Sequence, residues 1–178
     1  MRADQAEPRY NAALQTAVAA CAADTVGQTC YICLGPGDEE EGLVRGCSCR
    51  GGAGFAHVSC LARGAQVEVE RDVQNRWKRW HTCRQCEQYY HGVVSCALEW
   101  ACWKTYVGRP ETDGLRYAAM MQLGNGLYDA KRDEEALSVR ETELVMMRRL
   151  SDSEENVLVV QNNLANSYKA LGRLDEAL

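Results

Sequence analysis

The sequence predicts a small metal-stabilised α+β module followed by an all-α helical-repeat array. Seven cysteines and one histidine fall in ordered pairs between Cys30 and Cys86. A nearly continuous apolar stretch follows, from Val93 to Tyr106. The second half of the chain then repeats its own pattern at an interval of 41 residues.

The pairs read Cys30-x2-Cys33, Cys47-x-Cys49, His57-x2-Cys60 and Cys83-x2-Cys86. Zn²⁺ takes four thiolate or imidazole ligands in a tetrahedron, and two residues between cysteines let one turn aim both sulfurs at one ion. Eight ligands make two closed structural sites with no open catalytic position, so two Zn²⁺ ions are expected. Cys21, Cys96 and Cys102 lie outside the pairs and are expected to pack as small apolar thiols. His81 and His91 flank the last pair, but the ligand set is complete without them. No Ser-His-Asp or Cys-His nucleophile arrangement is present, and no catalytic residue is expected.

The formal net charge is -5, which argues against bulk binding of nucleic acid. Residues 1–110 balance at 12 acidic against 12 basic, whereas residues 111–178 carry 13 against 8. Trp77, Lys78, Arg79 and Trp80 mix aromatic and basic character, but packing of the tryptophans against the module is the better reading. No secretory signal stands at Met1–Arg9, and no apolar run is long enough to span a bilayer. With cysteines spaced for metal, this predicts a soluble protein of the cytoplasm, or the nucleus.

The expected organisation runs in four parts. Residues 1–25 form an N-terminal helix or leader, with helix-forming composition over 9–23 and Pro8 at a helix start. Residues 26–92 hold the ligands. Within them Gly35-Pro36-Gly37 and the acidic run Asp38 to Glu41 read as a solvated loop. Gly46, Gly51, Gly52 and Gly54 read as tight turns beside the second pair. Residues 93–110 form a buried bridging helix and a linker broken at Gly108-Arg109-Pro110. Residues 111–178 form the repeats: Leu123-Gly124-x2-Leu127-x8-Ala136-Leu137 recurs as Leu164-Ala165-x2-Tyr168-x8-Ala177-Leu178. Such units are helical hairpins that must stack to bury their faces. About one and a half are present, so the array is expected to continue elsewhere or to be capped by a partner.

The ligand ladder resembles the RING-CH, or RING-variant, zinc finger. In that family the fifth ligand is His, the second pair is Cys-x-Cys and the first pair is commonly Cys-x-Ile-Cys. Here these are His57, Cys47/Cys49 and Cys30-Tyr31-Ile32-Cys33. A PHD finger is the rival on ligand order, but its second pair is usually Cys-x2-Cys and its His follows more closely. The resemblance implies a RING-like cross-brace in which Cys30, Cys33, His57 and Cys60 share one zinc and Cys47, Cys49, Cys83 and Cys86 the other. It also implies a ubiquitin ligase that binds a ubiquitin-conjugating enzyme, with Ile32 as the contact. A non-enzymatic zinc-binding adaptor is the alternative. The sequence departs from the family in placing Gly64 near the position of an expected Trp, and in following Cys86 with Glu87 and Gln88. Arg84 is the nearest basic residue.

Residues 115–178 resemble tetratricopeptide (TPR) repeats of the kinesin-light-chain type, carried by Asn162-Asn163-Leu164-Ala165-Asn166-Ser167-Tyr168 and Gly172-Arg173-Leu174-Asp175-Glu176-Ala177-Leu178. This implies a groove for a peptide or protein substrate, with Asn125, Asn163 and Asn166 as candidate contacts because an amide can both donate to and accept from a peptide backbone.

Overall fold

The computed structural model describes residues 3–37, 41–71, 77–150 and 154–177. Among them are seven α-helices: α1 (Ala6–Thr25), α2 (Val58–Arg71), α3 (Lys78–His81), α4 (Gly92–Tyr106), α5 (Gly114–Asp129), α6 (Asp133–Arg149) and α7 (Glu154–Ala170). Single 3-10 turns stand at Ala3–Gln5 and Leu174–Glu176. The chain divides into two compact units, one of Glu7–Cys102 and one of Met1–Ala6 with Trp103–Leu178. The division falls inside α4. No helix among the described residues is long and apolar enough to cross a membrane.

The β half of the expected α+β module is corrected. No strand occurs among the described residues, only isolated antiparallel bridges at Thr29–Pro36, Val44–Ala56 and Thr82–Tyr89. The reason is length. Each bridge closes a loop so tightly tied to ligands that one residue pair is extended before the chain turns away.

In the first unit, α1 buries a stripe of Tyr10, Ala13, Ala17 and Cys21, spaced as one helix face. Small side chains let it approach closely: a β-carbon on Gly42 would lie 2.3 Å from Val18 Cγ1. Arg45 N–H donates to Cys21 Sγ at 3.5 Å, and Arg9 stacks over Trp100 of α4 at 5.9 Å. The N-terminal helix thus packs within the ligand-bearing unit. Pro8 sits in its first turn, where a missing N–H costs no helix bond. Within this unit α4 buries Val94, Cys96, Ala97, Leu98, Trp100, Ala101 and Cys102, the pattern of a helix with no solvent face. Val94 fills the space beside Gly46, where a β-carbon would fall 2.4 Å away. Gly46 is therefore a packing glycine rather than a turn glycine.

In the second unit, three-residue linkage holds α5 to α6, and α6 packs against both α5 and α7. The Asp113 side chain caps α5 by accepting from Leu115 N–H at 2.8 Å. Leu144 and Met147 of α6 and Val160 of α7 form a core that Tyr117, Val157 and Leu164 flank. The 41-residue sequence repeat has a matching turn in the backbone. Lys131 and Gly172 both have positive φ, at 59° and 72°. Arg132 N–H donates to Leu127 O, and Arg173 N–H to Tyr168 O, each at 2.9 Å. Arg132 and Arg173 each donate from Nε to the glutamate three residues on at 2.6 Å. Leu178, the last residue of the matched pattern, and Asp38–Glu40 of the acidic run lie outside the described residues.

α6 buries Arg140 and Glu143 almost completely, at 4% and 1% exposure. Burial pushes the Glu143 carboxyl up to about 7, against the opposing pull of Arg140 and a hydrogen bond from Tyr117. A carboxyl whose pKa rises on folding stabilises in its neutral form, and that contribution is lost as pH rises through the folded value. Chemical denaturation should therefore show stability of the second unit declining between pH 4.5 and about 7, and Glu143→Gln should flatten this dependence.

Candidate metal centre

Two loops of the same design carry the outer ligand pairs. In the first, Cys30 N–H donates to Gly35 O and Leu34 N–H to Cys30 O, both at 2.8 Å. In the second, Cys83 N–H donates to Gln88 O and Glu87 N–H to Cys83 O, both at 2.9 Å. Ile32 N–H points at Cys30 Sγ and Gln85 N–H at Cys83 Sγ, each at 3.4 Å. Leu34 and Glu87 close these loops at positive φ, 65° and 55°. Each loop aims two sulfurs inward, and each is sealed by its own bridge, Thr29–Pro36 or Thr82–Tyr89.

The inner pairs come from the segment between them. The Val44–Ala56 bridge holds a loop carrying Cys47 and Cys49, while His57 and Cys60 sit at the start of α2. Glu41 steadies that helix start, accepting from Ser59 N–H at 2.7 Å; a carboxylate there also meets the positive end of the helix dipole. Gly54 is required by two independent constraints. Its φ is 82°, and a β-carbon would lie 2.6 Å from Cys49 Cβ and 3.3 Å from Cys47 Sγ.

The eight side chains gather as two groups, Cys30, Cys33, His57 and Cys60, and Cys47, Cys49, Cys83 and Cys86. Within each group all ligand atoms lie within 4.8 Å of one another. His57 is oriented for coordination. Its Nε2 lies 3.0 Å from Pro36 O, and a carbonyl can only accept, so Nε2 carries the proton. Nδ1 then presents its lone pair to Cys33 Sγ at 3.4 Å and Cys60 Sγ at 3.8 Å. An outer hydrogen bond of this kind fixes the tautomer of a metal-bound histidine. Donor type, number and proximity fit two zinc ions, which would act as structural braces because no ligand position is left for water.

Without metal the thiols resist ionising together. Burial, then the neighbouring Cys33 and Cys30, push Cys60 up to about 12. Burial pushes Cys49 up to about 11 and Cys47 higher still. Cys86, with a backbone hydrogen bond at Gln88, comes down to about 7. At Cys30 burial is the largest single influence and acts upward, yet backbone hydrogen bonds at Cys33, His57 and Ile32 together bring it to about 7.

The remaining sequence candidates are distributed as follows. Ile32 is 44% exposed on the first loop and lines a shallow groove with Tyr31, Leu61, Gly64, Ala65 and Tyr90. Arg84 lies on the second loop, paired with Glu68 of α2 at 2.5 Å. Trp80 is fully buried, while Lys78 and Arg79 pair with Glu87 at 2.7 and 2.9 Å, and Trp77 is half-buried. His81 Nδ1 lies 3.3 Å from the buried Glu99, and neither His81 nor His91 joins a ligand group. Asn125 accepts from Arg140 Nη2 at 3.2 Å, Asn163 is half-buried and Asn166 exposed. The groove beside Ile32 was not legible in the sequence, since its walls come from α2 and from both metal loops.

Metal loss and pH should act together. Cys47→Ser should reduce bound zinc below two per chain and unfold the ligand unit, as read by atomic emission and thermal melting. Because zinc must displace thiol protons, its affinity should fall by at least about tenfold per unit below pH 7 in competition with a chromogenic chelator. Gly54→Ala should crowd Cys47 and Cys49 and lower bound zinc below two per chain, as read by atomic emission.

Residues 30–88 match the family model of the RING-variant domain, which runs from the first ligand to just beyond the last. No curated protein and no solved structure matches the chain. The matched span contains all eight residues of the two four-ligand groups, and residues 30–88 form a RING-variant (RING-CH) domain with two Cys/His zinc sites.

Proposed function

We propose that the protein is a RING-type ubiquitin ligase whose finger recruits a ubiquitin-conjugating enzyme and whose helical repeats recruit a substrate. The setting of Ile32 carries this reading. An apolar side chain on the first metal loop stands partly exposed and lines a shallow groove with Leu61, Ala65 and Arg84. An inward-packed Ile32 would have served only the core. The chemistry belongs to the conjugating enzyme's thioester, and the finger contributes orientation, which can supply a large rate factor without any catalytic side chain.

The second unit is read as about one and a half tetratricopeptide-like repeats, of the kinesin-light-chain type, spanning 111–178. The matched turns at Lys131 and Gly172 support it. Asn166 is the most available groove contact and Asn163 the next. Asn125 would have to give up its bond from Arg140 to bind a peptide. The alternative, a non-enzymatic zinc-binding adaptor, is favoured by one observation: Arg84, the basic residue nearest the last metal loop, is already held by Glu68.

Ile32→Ala should retain two zinc ions yet lose at least about tenfold of ubiquitin discharge from charged conjugating enzymes, as expected for an interface anchor. Discharge unaffected by the change would remove Ile32 as the contact. Asn166→Ala should weaken substrate capture without altering folding or zinc content; unaltered capture would exclude it from the groove.

A further inference from the structure

Three of the four ligand pairs lie on loops closed by a backbone bridge, Thr29–Pro36, Val44–Ala56 or Thr82–Tyr89. His57 and Cys60 have no such loop among the described residues. They stand at the start of α2, joined by the helical bond from Leu61 N–H to His57 O at 3.1 Å. The Pro36 carbonyl orients the His57 ring, but the place of Cys60 follows from where the first turn of α2 lies. The opening N–H groups of a helix have no partner within it, so an outside acceptor can fix that turn.

Glu41 is that acceptor. Ser59 stands between the two ligands and donates to it twice, from its backbone N–H to Oε1 at 2.7 Å and from its hydroxyl to Oε2. The sequence reads Glu41 as the end of a solvated acidic loop, yet it is half-buried. It is backed by α1. Gly42, the next residue, lies so close to that helix that a β-carbon would fall 2.3 Å from Val18 Cγ1. Three residues further on, Arg45 N–H donates to Cys21 Sγ of the same helix. The Glu41 charge also reaches the buried Tyr10 of α1: burial first, then Glu41, push its hydroxyl up to about 12. Helix α1 ends at Thr25, before the matched span of residues 30–88 begins. The family match therefore assigns this helix no part in the metal centre.

We propose that Glu41 is a positioning residue of the first metal site and that α1, through Gly42, sets where Glu41 stands. The carboxylate touches no ligand atom. It holds the first turn of α2, and so the approach of His57 Nδ1 and Cys60 Sγ to Cys30 and Cys33. This holds whether or not the protein is a ligase.

The test loads the full chain with two ¹¹³Cd²⁺ ions in place of zinc. Cadmium resonances distinguish a site of three sulfurs and one nitrogen from a site of four sulfurs, so wild type should give one of each. With both ions bound the interleaved brace is intact, and a change confined to one resonance reports geometry at that site. Glu41→Ala should move the three-sulfur resonance, leave the four-sulfur resonance in place, and lower zinc affinity about tenfold, as loss of a supporting hydrogen bond around a metal site does. Glu41→Gln keeps one acceptor oxygen and should move the same resonance less, in the same direction. Gly42→Ala leaves the Glu41 side chain intact but crowds Val18, and should also move the three-sulfur resonance. Both resonances moving alike, or a lower Tm with neither moving, would make Glu41 a general stabiliser and overturn the proposal. If Glu41→Ala fails to hold two ions, Glu41→Gln decides by the same criterion. Gly42→Ala without effect on the three-sulfur resonance would overturn the part given to α1.

Discussion

The structure of the first unit depends on interleaved ligation. Neither metal group is contiguous in sequence. The loop holding Cys47 and Cys49 lies between the two halves of the first group, and His57 and Cys60 lie between the two halves of the second. Each ion therefore closes a loop that contains part of the other site, and the two cannot be separated into independent fingers. With no strand ladder among the described residues to hold these loops, metal coordination takes the place of a sheet. For small metal sites of this kind, binding free energy is folding free energy.

That brace is supplemented by ordinary packing. α1 contributes a stripe of small residues that fits against the Gly42 loop, and α4 supplies tryptophan and leucine bulk behind Gly46. A finger alone presents too little apolar surface to order two helices, whereas two helices with few polar positions can order loops rich in glycine. The result places the apolar rim around Ile32 on one side of a body that is rigid for two reasons, coordination and close packing.

The ligand groups were legible because metal coordination constrains residue type and spacing together, and Cys-x2-Cys loops leave few alternatives. The recurring turn at Lys131 and Gly172 was legible for the same reason, with small and large residues recurring at fixed offsets. Three features were not. The β component implied by the resemblance shrank to single bridges, because extended residues flanking a ligand turn look like short strands in sequence. Asn125 read as a free groove residue, but a buried arginine fifteen positions later, on the next helix, takes its carbonyl. Gly64 read only as a missing tryptophan. It lines the groove beside Ile32 together with residues 31, 61, 65 and 90, which the sequence keeps far apart.

The order of the ligands along the chain also bears on synthesis, where N-terminal segments emerge and begin to fold first. Cys30, Cys33, Cys47 and Cys49 leave the ribosome before any histidine ligand, and four thiols are already a competent set for zinc. They belong to two different sites. Zinc settling on these four early thiols would hold a non-native set, because the native partners, His57 with Cys60 and Cys83 with Cys86, emerge later. The carbonyl of Pro36 fixes which nitrogen of His57 faces the sulfurs of Cys33 and Cys60, so the histidine is already oriented for its native group.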